Sequence, residues 1–243
     1  MTDLHVHTTF SDGRSTPEEV VLAAIAKGMT TLGFSDHSYT HFDTTYCIPK
    51  EKIPAYRAEI AALKSKYAGQ IEILCGIEQD FWSEEPADGY DYIIGSVHYV
   101  KDGREYLPVD ESRQRLLDAA REHFSGDIYA LAEAYYETVA QVAEKLHPNI
   151  IGHFDLISKF NEGGALFDET HPRYTAAWQA AANKLLEANL PFEINTGAVS
   201  RGYRTAPYPA APIREYLAAR GARFLWSSDS HRASTLCFGF PND

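Results

Sequence analysis

The sequence predicts a single-domain α/β protein in which parallel strands close into a barrel, and three observations indicate this fold. Strand-like and helix-like patterns alternate along the chain, as they do where helices connect the strands of a parallel sheet. The 243 residues, 44% of them hydrophobic, suit one domain of barrel size with a full core. Residues of metal-ligand type recur at the carboxyl ends of six of the seven predicted strands. In a barrel these ends surround one mouth, whereas in an open sheet they would lie along a line.

The first predicted strand, which begins at Thr2, carries two histidines at the spacing of paired ligands. His5 and His7 are two residues apart, so both imidazoles face the same side of an extended chain. Two neutral imidazoles provide half of a site for a first-row metal. Asp12, on the turn that ends at Gly13, can add an oxygen ligand. The histidine pair alone is a weak signal, because such residues also occur as hydrogen-bonded polar groups.

Helix and strand signals then alternate to the end of the chain. Thr16 and Pro17 are typical of a helix start and Gly28 of a helix end, around a helix expected from Glu18 to Lys27. Further helices are expected at residues 52–67, 128–146, 174–188 and 213–219. Further strands are expected at residues 30–35, 71–77, 92–97, 150–152, 191–194 and 223–227.

A histidine, aspartate or glutamate follows nearly every predicted strand. Any one of them could be a surface residue or a hydrogen-bonded core residue, but the same position recurs too often for that explanation to cover the set. The candidate metal ligands are His5, His7, Asp12, His37, Glu78, His98, His153, Asp229 and His231. The other histidines, which are expected in loops or helices outside the site, are His41, His123, His147 and His171.

The formal net charge of −12 argues against a nucleic-acid-binding surface, which needs a basic stripe. It does not exclude a small anionic substrate, because bound divalent cations invert the local charge. Cys47, Cys75 and Cys237 are far apart and lack CxxC spacing, so we expect reduced thiols and a cytoplasmic protein. No apolar run has the length of a membrane span and no signal peptide is recognisable, while the oligomeric state stays open.

Six motifs around the candidate ligands together resemble one known family. They are Asp3 to Gly13, Phe34 to His37, Gly76 to Glu78, Gly95 to His98, Gly152 to Asp155 and Ser227 to His231. In this combination, from residue 3 to residue 231, the chain resembles the polymerase and histidinol phosphatase (PHP) family. The fourth and fifth motifs, with Glu193 to Thr196, look most like its stand-alone histidinol-phosphate phosphatase branch.

The resemblance implies a fold and a metal centre. The fold is a distorted seven-stranded (β/α)7 TIM-like barrel, and the centre holds two to three divalent first-row ions, either zinc, iron or manganese. Carried over residue by residue, one ion is held by His5, His7, Glu78 and Asp229. Glu78 bridges to a second ion, whose other ligands are His98 and His153. A third ion is held by Asp12, His37 and His231.

The resemblance also implies an activity, the hydrolysis of a small phosphate monoester. The substrate expected first is L-histidinol phosphate, cleaved to L-histidinol and phosphate by attack of a metal-bridging hydroxide. The expected catalytic residues are Glu78, Asp229 and His231, with Asp229 orienting the hydroxide or taking its proton. Two alternatives stay open: a phosphodiesterase or nuclease of the same family, and a non-enzymatic metal-binding regulatory domain.

Three cations are candidates for binding the substrate phosphate, and each could instead be a solvated loop charge. They are Arg201 and Arg204 after the sixth predicted strand and Lys159 after the fifth, and a guanidinium binds phosphate in two-pronged fashion. The loop at residues 38–49, which contains Tyr39, His41, Phe42 and Tyr46, could cover the mouth or pack locally. Members of this branch usually continue into a final helix. The chain stops twelve residues after His231, so we expect that helix to be missing or the barrel to close differently.

Overall fold

A computed structural model of the chain describes residues 1–241. Nine strands form: β1 (Thr2–Asp3), β2 (Thr31–Phe34), β3 (Glu72–Asp80), β4 (Tyr92–Ser96), β5 (Tyr99–Asp102), β6 (Glu105–Pro108), β7 (Ile150–Ile151), β8 (Phe192–Asn195) and β9 (Phe224–Ser227). Seven of them make one parallel sheet in the order β1-β2-β3-β4-β7-β8-β9, and β5 and β6 form a separate antiparallel hairpin. Each parallel strand therefore lies beside the next one in the chain, as in a barrel.

The two ends of the sheet meet and nearly close it. Val6 forms a parallel bridge with Ser230. The Ser230 amide donates to the His5 carbonyl at 3.1 Å, and the His7 amide donates to the Ser230 carbonyl at 2.8 Å. The predicted seven-stranded barrel is thus confirmed. The first strand is shorter than predicted, because only Thr2–Asp3 pairs regularly with β2 and the two histidines lie in the bridged segment beyond it.

The helices are α1 (Pro17–Ala26), α2 (Ile53–Lys66), α3 (Arg113–His123), α4 (Ile128–Val139), α5 (Val142–Leu146), α6 (Pro172–Leu186), α7 (Gly197–Ser200) and α8 (Ala211–Ala218). The start of α1 was predicted correctly: Thr16 and Glu19 form a reciprocal capping box. The helix predicted over residues 128–146 divides into α4 and α5. At the division the Gln141 amide donates to the Thr138 carbonyl, which tightens the chain into a turn. In residues 1–241 no helix is both long and apolar enough to cross a membrane.

The β5–β6 hairpin and α3 were not predicted from the sequence. The hairpin turns at Gly103, whose φ of 57° suits the left-handed region that glycine tolerates. Its Tyr106 ring stacks on Phe42 at 3.7 Å between centroids. The hairpin therefore supports the loop at residues 38–49.

The interior of the barrel, below the mouth, is filled around Tyr92. Its hydroxyl lies 2.5 Å from the Leu4 carbonyl and 3.0 Å from the Phe34 carbonyl. Gly33 and Gly76 leave room for the ring, since a Cβ at either position would overlap it. Tyr92 thus ties together the two segments that lead into the first histidines of the mouth.

Beyond β9 the described chain folds back over α1. It forms a short 3-10 turn at Ala233–Thr235, and Leu236 is buried among Val20 and Val21 of α1. The Cys237 amide donates to the buried Asp3 carboxylate at 3.0 Å. The last strand is followed by this segment, and between that strand and residue 241 the only helical element is the short 3-10 turn.

Candidate metal centre

All nine candidate ligands lie together at the carboxyl end of the barrel. Most of them line a cavity of about 920 Å³, while His5 and His7 lie fully buried at its base. The cavity is open to solvent between the loop at residues 38–49 and the segments after β7, β8 and β9.

Glu78, at 1% exposure, lies at the centre of the cluster. Its Oε2 atom is 2.8 Å from His37 Nδ1, 3.2 Å from His5 Nε2 and 3.6 Å from His7 Nε2. Its Oε1 atom is 2.8 Å from His153 Nε2 and 3.4 Å from His98 Nε2. The two oxygens thus face different imidazoles, which is the arrangement needed for a bridging carboxylate.

Asp229 approaches the same cluster from the opposite side. Its Oδ1 atom is 3.3 Å from His7 Nε2 and 3.9 Å from His5 Nε2. Asp229 has a φ of 47°, an uncommon backbone conformation for a residue other than glycine. His5, His7 and Asp229 offer atoms close enough together to hold one ion.

A further group surrounds Asp12. Its Oδ2 atom is 3.2 Å from His231 Nε2, and its Oδ1 atom is 3.7 Å from His37 Nε2. His37 therefore lies between two groups, with one ring nitrogen toward Glu78 and the other toward Asp12. His7 likewise belongs to two of the possible ligand groups.

Two carboxylates that sequence reasoning did not select hold the ligand imidazoles from behind. Glu193 Oε1 is 2.6 Å from His5 Nδ1, and its Oε2 accepts the His153 amide at 2.9 Å. Asp80 Oδ2 is 3.0 Å from His98 Nδ1. Such partners fix the ring of a metal-ligating histidine. Glu193 sits in a motif already noted, and Asp80 lies two residues after Glu78 on the same face of β3, so both could have been found.

The electrostatics of the cluster keep its carboxylates ionised. Burial opposes this, but His5, His37 and His98 hold the pKa of Glu78 well below its usual value. Burial also raises the pKa of Asp229, but Arg201 and His5 outweigh it and hold this pKa well below its usual value. Burial, His231 and His37 lower the pKa of His7 to about 3, so this imidazole is neutral at neutral pH and has a free lone pair.

Several buried atoms of the cluster lack a hydrogen-bonding partner among residues 1–241. They are His5 Nε2, both ring nitrogens of His7, Glu78 Oε2 and His153 Nδ1. Buried polar atoms without partners are costly, so several of them within groups of ligand-type atoms indicate missing ligands. Imidazole nitrogens with carboxylate oxygens suit divalent first-row ions, and the residues present therefore fit the expected metals.

The three candidate phosphate-binding cations have different surroundings. Arg201 lines the cavity and contacts Asp229 twice, at Oδ2 and at the carbonyl, both at 3.0 Å. Lys159 also lines the cavity and donates to Asp110 Oδ2 at 3.1 Å. Arg204 lies away from the cavity lining, 8% exposed at its side chain, and donates to the Ser158 carbonyl at 2.8 Å.

The loop at residues 38–49 contributes to the cavity wall at some residues and packs locally at others. Tyr46 lines the cavity, with its ring centroid 4.9 Å from that of His37. His41 and Phe42 instead pack against Tyr106 of the hairpin. Asp43, held by the Tyr99 hydroxyl at 2.8 Å, joins Asp110 and Glu111 in an acidic part of the cavity wall.

Comparison with known proteins agrees with this arrangement. A family model for the PHP domain matches residues 3–197. The Deinococcus radiodurans protein named "Probable histidinol-phosphatase" is 30% identical in an alignment of 253 positions that covers 98% of this chain and 89% of that protein.

Two crystal structures share the fold. One is a candidate histidinol phosphatase from Listeria monocytogenes, with a TM-score of 0.82 at 20% identity over 99% of this chain and 98% of that one. The other is the histidinol phosphate phosphatase of Lactococcus lactis in complex with zinc, L-histidinol and phosphate. It has a TM-score of 0.68 at 22% identity, over 96% of this chain and 86% of that one. The resemblance drawn from the motifs is confirmed, and the chain belongs to the PHP domain family as a metal-dependent phosphatase.

Proposed function

We propose that the chain hydrolyses L-histidinol phosphate to L-histidinol and phosphate, a step of histidine biosynthesis. The observation that carries this proposal is the complete set of nine ligand-type residues, Glu78 and the eight around it, in a chain related to named histidinol phosphatases. The cytoplasmic location stays a prediction from the cysteine spacing.

The residues that would hold two to three divalent ions form three groups around the cluster. His5, His7 and Asp229 with one oxygen of Glu78 make the first, and His98 and His153 with its other oxygen make the second. Asp12, His37 and His231 make the third. Bound zinc, iron or manganese would make water a nucleophile at neutral pH and neutralise charge on the phosphoryl group.

Asp229 and Arg201 supply the chain's own contribution to the reaction. The low pKa of Asp229 keeps it ionised at neutral pH, so its carboxylate can orient the attacking water and accept its proton. Arg201 lies beside it with part of its side chain exposed to the cavity. Its guanidinium would bind phosphoryl oxygens and stabilise the charge that they carry in the transition state.

The rest of the cavity suits the other end of this substrate. Asp43, Glu111 and Asp110, the last of which is paired with Lys159, leave that wall with net negative charge, and Tyr46 and Tyr99 add aromatic surface. L-Histidinol phosphate carries an ammonium group and an imidazole beside its phosphate. Opposite charges on the two walls would favour such a substrate over a plain anionic ester.

The deciding experiment measures phosphate release by the metal-loaded protein from L-histidinol phosphate and from other monoesters that lack an amine. Cleavage of a phosphodiester and of single-stranded DNA is measured in parallel to test the phosphodiesterase and nuclease alternatives. We expect the highest kcat/KM with L-histidinol phosphate and loss of turnover with chelator. Faster turnover of the diester or the DNA would overturn the monoesterase proposal. Faster turnover of an amine-free monoester would overturn only the assignment of L-histidinol phosphate as the substrate.

A further inference from the structure

Two fully buried carboxylates, Asp3 and Asp36, contact the loops that carry the candidate ligands without accepting a hydrogen bond from any ligand side chain. We propose that they are positioning residues, each of which presets a different group of metal ligands before metal binds. Asp3 would preset the group of His5 and Asp229, and Asp36 that of Asp12 and His37. This inference rests on the ligand groups of the proposed function.

Asp36 holds the segment between two ligands. Its Oδ1 accepts the Thr8 amide at 2.7 Å, the Ser11 amide at 3.2 Å and the Ser11 hydroxyl at 2.6 Å. Its Oδ2 accepts the Thr8 hydroxyl at 2.9 Å. Thr8 and Ser11 directly adjoin His7 and Asp12, and Asp36 itself precedes His37. A single carboxylate thus fixes the chain next to Asp12 and His37 of the third group, and next to His7, which can belong to the first group as well.

Asp3 does the same from behind Asp229. Its Oδ1 accepts the Ser228 amide at 3.1 Å, and its Oδ2 accepts the Ser228 hydroxyl at 2.5 Å and the Cys237 amide at 3.0 Å. Ser228 immediately precedes Asp229, whose positive φ must be held by its surroundings. Arg201 holds Asp229 from the cavity side, and Asp3 holds the preceding residue from the interior.

These contacts differ from those of Glu193 and Asp80, which touch imidazoles directly. Hydrogen bonds from backbone amides and hydroxyls to an ionised carboxylate are strong and directional. Without these hydrogen bonds, each loop would become ordered only when the metal binds. The entropy lost in that ordering would lower the affinity for the metal. Because each carboxylate mainly holds one loop, each should affect one ion more strongly than the other.

The first test uses metal-free protein and amide hydrogen exchange measured by mass spectrometry. Asp36→Ala and the milder Ser11→Ala should speed exchange in the segment 8–12 and leave 228–237 unchanged. Asp3→Ala and Ser228→Ala should do the reverse. Thr138→Val, which removes a buried hydroxyl that bonds within α4, is the control and should change neither segment. Unchanged exchange at the expected segment would overturn the inference whatever metal the protein binds, so this result is distinct from a failure of the proposed function.

The second test is a zinc titration against a competing chelator. We expect each Asp variant to lower the affinity for one zinc ion by about tenfold or more. This is the scale seen when the hydrogen-bonding partners of metal ligands are removed. In an Asp12→Ala background, Asp36→Ala should cause no further loss of zinc, whereas Asp3→Ala should weaken a second ion. Equal additional losses from both variants would show general destabilisation and overturn the assignment of one carboxylate to each group. If Asp3→Ala does not fold, Ser228→Ala takes its place.

Discussion

At the scale of single residues, Glu78 joins the separate parts of the site. Its two oxygens face the imidazoles of His5 and His37 on one side and those of His98 and His153 on the other. A residue placed in this way is expected to affect more than one ion when it is changed, unlike a ligand at the edge of the cluster.

Glu78→Gln should lower the metal content by more than one ion per chain. The amide keeps the shape of the side chain but has a single oxygen and no charge, so it cannot bridge two cations. Elemental analysis after reconstitution with manganese, iron or zinc measures the effect, with the exposed Glu187→Gln on the surface as control. A full metal complement in Glu78→Gln would show that the bridging assignment is wrong.

Arg201→Ala should lower kcat/KM for L-histidinol phosphate by roughly thirty- to a thousandfold, which corresponds to about 2–4 kcal/mol of transition-state stabilisation. Metal content should stay unchanged, because the guanidinium acts on the ester and not on the ions. Arg201→Lys should recover part of the loss, since a point charge cannot reproduce a two-pronged contact.

The structure adds a second possible cause for such a loss, because Arg201 also contacts Asp229. Metal content is therefore measured on each variant beside the kinetics, with surface Arg220→Ala as the matched control. Activity within about twofold of wild type would exclude Arg201 from phosphate binding. Activity lost together with metal would show that Arg201 acts by holding Asp229.

At the scale of elements, the helices and strands that were predicted correctly are those with local sequence signals such as capping or turn residues. The capping box and proline at the start of α1 are such signals. The β5–β6 hairpin also has one, since Gly103 opens the two-residue turn Gly103-Arg104, and Tyr99-Val100 and Tyr106-Leu107 lie on either side of it. The missed hairpin matters for function because it supports the loop that carries Asp43 and Tyr46 into the cavity wall.

Gly76→Ala should lower the free energy of unfolding of the metal-free protein by about 1–3 kcal/mol, the usual cost of overpacking. The added methyl would overlap the Tyr92 ring, which is held in place by hydrogen bonds from its hydroxyl to the Leu4 and Phe34 carbonyls. Urea denaturation measures the cost, and Tyr92→Leu provides the matched background. In that background Gly76→Ala should cost less, so equal costs in both would contradict the proposed contact.

At the scale of the whole molecule, the barrel buries charged groups whose ionisation opposes folding. Asp155 is fully buried, with one oxygen accepting the Ala210 amide at 2.9 Å and the other without a partner among residues 1–241. Burial raises the pKa of Asp155 to about 6 from its ordinary value of 3.8. Because the folded-state pKa is the higher one, folding is favoured below about pH 3.8, and this advantage is lost as the pH rises through about 6.

Asp155→Asn should therefore raise the free energy of unfolding of the metal-free protein at about pH 8, by up to about 3 kcal/mol. The gain should fall towards zero near pH 4, where the wild-type carboxyl is protonated as well. Denaturation curves over this pH range provide the measurement. Asp127→Asn is a control of opposite sign, because Arg173 lowers the pKa of that exposed carboxyl. A gain for Asp155→Asn that does not depend on pH would contradict this origin.

The sequence by itself determined the fold class and the types of residue at the mouth. Alternating strand and helix patterns follow from local periodicity, and the order of the parallel strands follows from short right-handed connections. Ligand-type residues at the strand ends therefore had to converge once the sheet closed, and all nine do.

Only the tertiary structure decided how these residues face one another. It places the two oxygens of Glu78 toward different imidazoles, sets His37 between two groups and turns Arg204 away from the cavity. It also brings Asp3 to Ser228, 225 positions along the chain. Such contacts depend on barrel closure and side-chain packing between distant segments, and local patterns in a sequence contain no information about those distances.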